Sequence, residues 1–228
     1  MAGLQTIINN CNGIAINRRK TVGIQYARNE IPRTSFTPTR NPWHITLDMP
    51  MNFKYSNARS LMEELDTLDR ITPQVITFSN NSAMNWIFRY QGSMSSSQIN
   101  ALTVVSYIGD QLVLTGLPSI SASAVLFAKN DLIQIGNHTF PFTSTTTVLR
   151  GVAVNVTVTT SRPNIISAII TGDGLTVGNA CQFQMFCPNM PTYKLTVGGQ
   201  SYANGVLINN AYIEWSDPFN LYEWVGNS

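Results

Sequence analysis

Residues 103–116 read TVVSYIGDQLVLTG, and in them two apolar runs flank the pair Gly109-Asp110. A glycine at the first central position suits a two-residue type II′ turn, whose twist matches that of the strands it joins. The stretch predicts a β-hairpin. The same grammar recurs on both sides of it. DLIQIGNHTFPF (131–142) repeats the device around Gly136-Asn137. VAVNVTVTT (152–160) alternates, with Val152, Val154, Val156 and Val158 on one face and Ala153, Asn155, Thr157 and Thr159 on the other, the pattern of a half-buried strand. MNWIFRYQG (84–92) sets Trp86, Phe88 and Tyr90 on a shared face. AYIEW (211–215) sends Ala211, Ile213 and Trp215 one way and Tyr212 and Glu214 the other, before Asp217-Pro218 breaks the run. GDGLTVG (172–178) lacks the G-x-G-x-x-G spacing and reads as a β-turn.

One segment departs from this grammar. In SNARSLMEELDTLDR (56–70), Ala58, Leu61, Met62, Leu65 and Leu68 recur at steps of three and four, which predicts a helix over about 57–70. Ser56 or Asn57 suits its start, and Pro73 limits its end. Glu63, Glu64, Asp66 and Asp69 lie mostly off the apolar stripe. No histidine is spaced to join them in a metal site, so they read as a solvated face or one that meets a basic partner. The fold class is mainly β with one principal helix.

A polar joint, SMSSSQIN (93–100), separates two styles of strand. After it come short strands about 8–12 residues apart, as in a small barrel or sandwich. The last strands return to the heavier aromatic style of residues 40–90. The expected organisation is a discontinuous outer domain, 1–92 plus 190–228, with a small β-barrel domain inserted at 93–189.

Apolar residues make up 43% of the 228 and charged residues only 11%, against a usual charged share of roughly 25%. So little surface charge suits a chain packed against copies of itself. The net charge is +2, yet Arg18, Arg19, Lys20, Arg28, Arg33 and Arg40 crowd one segment that has Glu30 as its only acid. From residue 60 onward the balance is acidic, six bases against ten acids, Glu63, Glu64, Glu214 and Glu223 among them. A nucleic-acid footprint usually brings a basic domain. A basic end and an acidic remainder are instead complementary, and neighbouring copies meeting head to side would pair them. Arginine, with its rigid fork, suits such contacts better than lysine.

Chemistry is sparse. There is no G-x-S-x-G elbow, P-loop or H-E-x-x-H. The two histidines, His44 and His138, offer little for general acid–base work. Cys11, Cys181 and Cys187 are odd in number and form no C-x-x-C, so they read as buried thiols. The start, MAGLQTIINNCNG, lacks the basic and apolar regions of a signal peptide. No run approaches the ~18 apolar residues of a membrane helix. No cofactor, metal ligand set or catalytic residue is expected. The four tryptophans read as core or interface residues ahead of a sugar-stacking platform.

RRKTVGIQYARNEIPRTSFTPTRNPWHITLDMP (18–50), followed by ARSLMEELDTLD (58–69), resembles the opening of bacteriophage tail proteins of the distal-tail and tail-tube type. In the middle, NDLIQIGNHTFPFTSTTTVLRGVAVNVTVTTSRPNIIS (130–167) is similar to a small β-module of tail-tip and baseplate proteins, in which a D-x-I-Q-I-G strand precedes a hairpin and a valine/threonine strand ending in Arg-Pro. CQFQMFCPNMPTYKLTVGG (181–199) and NNAYIEWSDPFNLYEWV (209–225) resemble the returning strands of such proteins. The closest likeness is to virion structural proteins of contractile-tailed phages, including those of marine cyanobacteria.

This resemblance implies a tail-tube-like β-sandwich or barrel, made in the host cytoplasm and carried in the virion tail or baseplate. It implies a ring of copies, sixfold, around the tail channel, in contact with tail tube, hub or other baseplate proteins. Membrane and specific nucleic acid are not expected partners. Arg18, Arg19, Lys20, Arg28 and Arg33 on one side, and Glu63, Glu64, Glu214 and Glu223 on the other, are the expected subunit-interface residues. The alternatives are a carbohydrate-binding or host-adhesion module of a virion and, behind it, a nucleic-acid-binding protein.

Overall fold

The computed structural model describes residues 3–17, 22–26, 32–36, 42–50, 53–66, 72–79, 84–164, 171–197, 201–203, 206–208 and 211–224. The chain is mainly β, with several antiparallel sheets and three helices. Among the described strands no closed barrel is found.

The largest sheet has five antiparallel strands in the order Gly13–Asn17, His44–Asp48, Phe219–Glu223, Gln182–Phe186, Gln74–Thr77. Alternation explains its two faces. Ile45, Leu47, Ile76, Phe183, Met185, Phe219 and Leu221 point to one side and are fully buried. Trp43 is buried with them, in edge-on contact with Phe88 and Phe183 at centroid distances of 5.7 and 5.3 Å. Helix α1 (Gly3–Asn10) adds Leu4, Ile7 and Ile8 to this core. It also closes a sheet edge. The Gln5 amide accepts from the Thr77 N–H at 2.8 Å and donates to the Thr77 carbonyl at 3.0 Å, as a neighbouring strand would.

Gln182–Phe186 lies inside the 93–189 segment by sequence. It is nonetheless a strand of this sheet, because Phe183 and Met185 complete the core shared with Trp43.

A second core is built from residues 94–177, including Leu112, Leu114, Leu126, Phe127, Ile133, Ile135, Phe142 and Val158. The hairpin of Thr103–Ile108 and Gln111–Thr115 forms as expected, with Gly109 at φ 58°. Val156–Thr159 adds a third strand. Leu132–Ile135 pairs with both Phe142–Thr143 and Leu175–Val177. Gly136-Asn137 does not make the expected two-residue turn. The connection spans 136–141: His138 N–H turns back to the Ile135 carbonyl and Phe140 N–H to the His138 carbonyl, so the register with Phe142 begins only at Ile133. SMSSSQIN contains a short helix, Ser96–Asn100, closed by a capping box between Ser95 and Gln98.

The predicted helix over about 57–70 is seen as α2, Tyr55–Asp66; residues 67–70 lie outside the described set. It packs Met62 against Ile213 on a separate sheet of Tyr193–Val197, Ala211–Trp215 and Phe53–Lys54.

Two strand expectations fail. Residues 84–88 form turns, with Ile87 N–H donating to the Met84 carbonyl, so Phe88 enters the core while Trp86 is 66% exposed. Only Val156–Thr159 of the 152–160 stretch is strand. Val152 and Val154 are 94% and 80% exposed because residues 151–155 bend away before the pairing with Gln111–Thr115 begins.

Candidate interaction surfaces and the buried junction

The expected interface residues do not form one surface. Arg18, Arg19, Lys20 and Arg28 lie outside the described residues. Arg33 sits in the strand Pro32–Phe36, opposite Gln25. Glu63 is exposed and accepts from Arg59 Nε at 3.1 Å, one helical turn away. Glu64 accepts from Thr6 Oγ1 at 3.1 Å and so ties the helix Tyr55–Asp66 to α1. Glu214 is exposed opposite Lys194 on the neighbouring strand. Its neighbour Ile213 faces that same helix, so Glu214 points to the other side of the sheet from Glu63 and Glu64.

Glu223 requires correction. It does not belong to an acidic surface. Its side chain is 1% exposed and Arg162, at 5%, holds it in a forked pair: Nη2 to Oε1 at 2.8 Å and Nη1 to Oε2 at 2.9 Å. Glu223 also accepts from the Trp43 N–H at 3.0 Å. Arg162 Nε donates to the Pro141 carbonyl at 3.2 Å, which accepts from Trp43 Nε1 as well. The guanidinium lies 3.8 Å from the Phe140 ring centroid. The residue that sequence alone leaves unremarked is thus Arg162. Its only signal is Arg-Pro at the end of a valine/threonine strand.

This junction fastens the two cores together. Glu223 and Trp43 belong to the large sheet and its core, whereas Arg162 and Pro141 belong to the middle segment. Tyr107 braces the Arg162 backbone by donating to its carbonyl at 2.8 Å. Burial pushes the Tyr107 phenol up to about 12, partly opposed by its bond with Thr160 and the charge of Arg162. A buried pair of this kind is not strong evidence of net stability, but removing one partner strands a charge in a dry site.

Two places on the outside are apolar or aromatic. On the open face of the large sheet, Phe186, Tyr222 and His44 stand side by side on adjacent strands. The His44 and Tyr222 rings stack at 4.5 Å, and Trp224 meets Phe186 edge-on at 5.7 Å. Tyr222 and Trp224 are each 39% exposed. Thr46 and Asn220, joined at 2.9 Å, continue the face without charge. The second place is Leu149, at the end of the strand Val148–Leu149, and the loop after it that carries Val152 and Val154.

Among the described residues no group of three or more His, Cys, Asp or Glu side chains is placed to hold a metal ion. Cys11, Cys181 and Cys187 are buried. Burial raises the Cys11 thiol to about 11 and Cys181 further, so neither carries thiolate at neutral pH. Among the same residues no helix is long and apolar enough to cross a membrane. No protein-family model matches the chain, and a search of curated proteins finds no match.

Proposed function

We propose that the chain is a structural subunit of a phage tail or baseplate, assembling with copies of itself in a ring around the tail channel. The observation that carries this reading is a surface poor in charge with two unlike apolar regions, the aromatic sheet face and the valine loop. A ring needs heterologous contacts, in which each subunit offers two different surfaces. Apolar exposure of this kind is characteristic of surfaces covered on assembly. The resemblance of residues 18–50, 130–167 and 181–225 to tail proteins supplies the tail or baseplate setting, the sixfold count, and tube or hub proteins as further partners. The proposed subunit performs no catalytic step.

The test is the mass of the purified chain in solution, with negative-stain images at high concentration. Rings, or a concentration-dependent higher mass, are expected. Charge reversal at Arg18 and Arg19 should reduce assembly more than it reduces the folding of the isolated subunit. A strict monomer that is never incorporated into virions would sink the proposal. A glycan array reports on the host-adhesion alternative. DNA binding that falls steeply with salt would favour the nucleic-acid reading.

A further inference from the structure

Beside the Arg162–Glu223 pair lies a cavity of about 300 Å³, walled in part by the buried Trp43 and Arg162. That volume is at the small end of ligand pockets, roughly 300–1,000 Å³. Its chemistry follows from which hydrogen-bonding groups are already used.

A guanidinium has five N–H donors. In Arg162, Nε and one hydrogen of Nη2 go to Pro141, and one hydrogen each of Nη2 and Nη1 goes to Glu223. The second Nη1 hydrogen has no partner among the described residues. A buried donor left in that state is costly, so it points to something that accepts. Ser161, on the same wall, accepts from the Thr143 N–H at 3.0 Å and still has its own hydroxyl hydrogen to give.

Lys129 and Asn130 form the rim. Lys129 makes no ion pair with any described residue. Their position is not accidental. Asn130 has φ 74°, the only positive value at a non-glycine among the described residues. The turn that imposes it is held by the Asp131 carboxylate, which accepts from the Ala128 N–H at 2.8 Å and the Gln91 N–H at 2.9 Å. Backbone kept in a sparsely populated region tends to mark a functional site. Thr145 completes the wall, with its hydroxyl given to the Thr159 carbonyl.

Among the described residues no carboxylate lines the cavity, and Lys129, Ser161 and the side-chain amide N–H of Asn130 offer it donors. Glu223 already neutralises Arg162, so the unmatched charge is that of Lys129. We infer that this cavity binds a small oxyanion, a carboxylate or phosphate, held by Lys129, Ser161 and the outer Nη1–H of Arg162. The inference is independent of ring assembly. The ligand would sit where the two cores meet and would stiffen their junction.

Calorimetric titration of the full chain tests it, with inorganic phosphate, glucuronate and neutral glucose at constant ionic strength. Saturable binding of phosphate, glucuronate or both at one site per chain is expected, with glucose at least tenfold weaker. Which anion binds identifies the source of the oxyanion. Lys129→Gln, an exposed change, should weaken the bound anion about tenfold, and Lys129→Gln with Ser161→Ala further. Circular dichroism of the variants without ligand should match that of the wild type. Absence of saturable binding of both anions at millimolar concentration overturns the inference. So does equal binding of glucose, or an unchanged Kd in the double variant.

Discussion

The two cores are made from opposite kinds of contact. The middle core, residues 94–177, is paired within one continuous segment: a two-residue hairpin, to which the later strand Val156–Thr159 is added. The large sheet joins Gly13–Asn17, His44–Asp48, Gln74–Thr77, Gln182–Phe186 and Phe219–Glu223, drawn from both ends of the chain. Local pairing orders little chain per contact, whereas distant pairing closes long loops first. The difference teaches that the middle segment can organise on its own terms, while the large sheet needs the whole chain in place. The Arg162–Glu223 pair joins them, so they are expected to unfold together.

The largest test removes a ring from each core. Phe183→Ala and Phe142→Ala should each cost about 3–5 kcal/mol. In calorimetry both should lower a single shared transition. If each instead lowered a separate transition in the wild-type background, the two cores would be uncoupled.

Next comes the junction. Glu223→Gln leaves the buried Arg162 charge uncompensated and should cost about 3 kcal/mol. It should also split the single transition in two. An unchanged unfolding profile would show that the pair fastens nothing. Leucine at 223 with methionine at 162 should recover most of the loss, since apolar replacements of buried pairs are often tolerated.

Alkali tests the brace behind Arg162. The folded-state pKa of Tyr107 lies near 12, above its ordinary value of 10, so the folded chain holds this proton more tightly than the unfolded chain does. Its contribution is complete below pH 10 and is lost as pH rises through 12. Two units correspond to roughly 2–3 kcal/mol. Urea unfolding across this range should show the decline, which the raised Cys11 and Tyr90 share, and Tyr107→Phe should make it shallower. A slope unchanged in Tyr107→Phe would assign the effect elsewhere.

The smallest effect belongs to the large sheet alone. Gln5→Ala removes both bonds to Thr77 and should cost about 1–2 kcal/mol. Hydrogen exchange should quicken at Gln74–Thr77 and stay unchanged in the hairpin 103–115.

The same contrast explains what was legible in the sequence. Gly109-Asp110 announces its turn because the requirement for positive φ is local. The helix over Tyr55–Asp66 announces itself by spacing. Helix α1 carried the same signal, with Leu4, Ile7, Ile8 and Cys11 at steps of three, one and three, but its eight residues are few enough to pass as a loop. Val152 and Val154 alternate faithfully, yet among the described residues no strand pairs with them, and alternation alone does not create one. Glu223 looked like surface charge because its partner lies 61 residues away and only the folded sheet brings them together. The cavity wall was hidden for the same reason: Trp43, Lys129 and Ser161 share nothing in sequence.

The Gln5 amide has a further consequence for assembly. It acts toward the Gln74–Thr77 strand as a chain terminator acts in polymerisation, occupying the bonds through which another strand would add. On that flank the β-ladder stops within the subunit. Copies joined head to tail through this sheet would need both flanks reactive, so propagation by strand addition halts after one step. A closed ring of such subunits would therefore not be joined by strand addition at the Thr77 end of this edge.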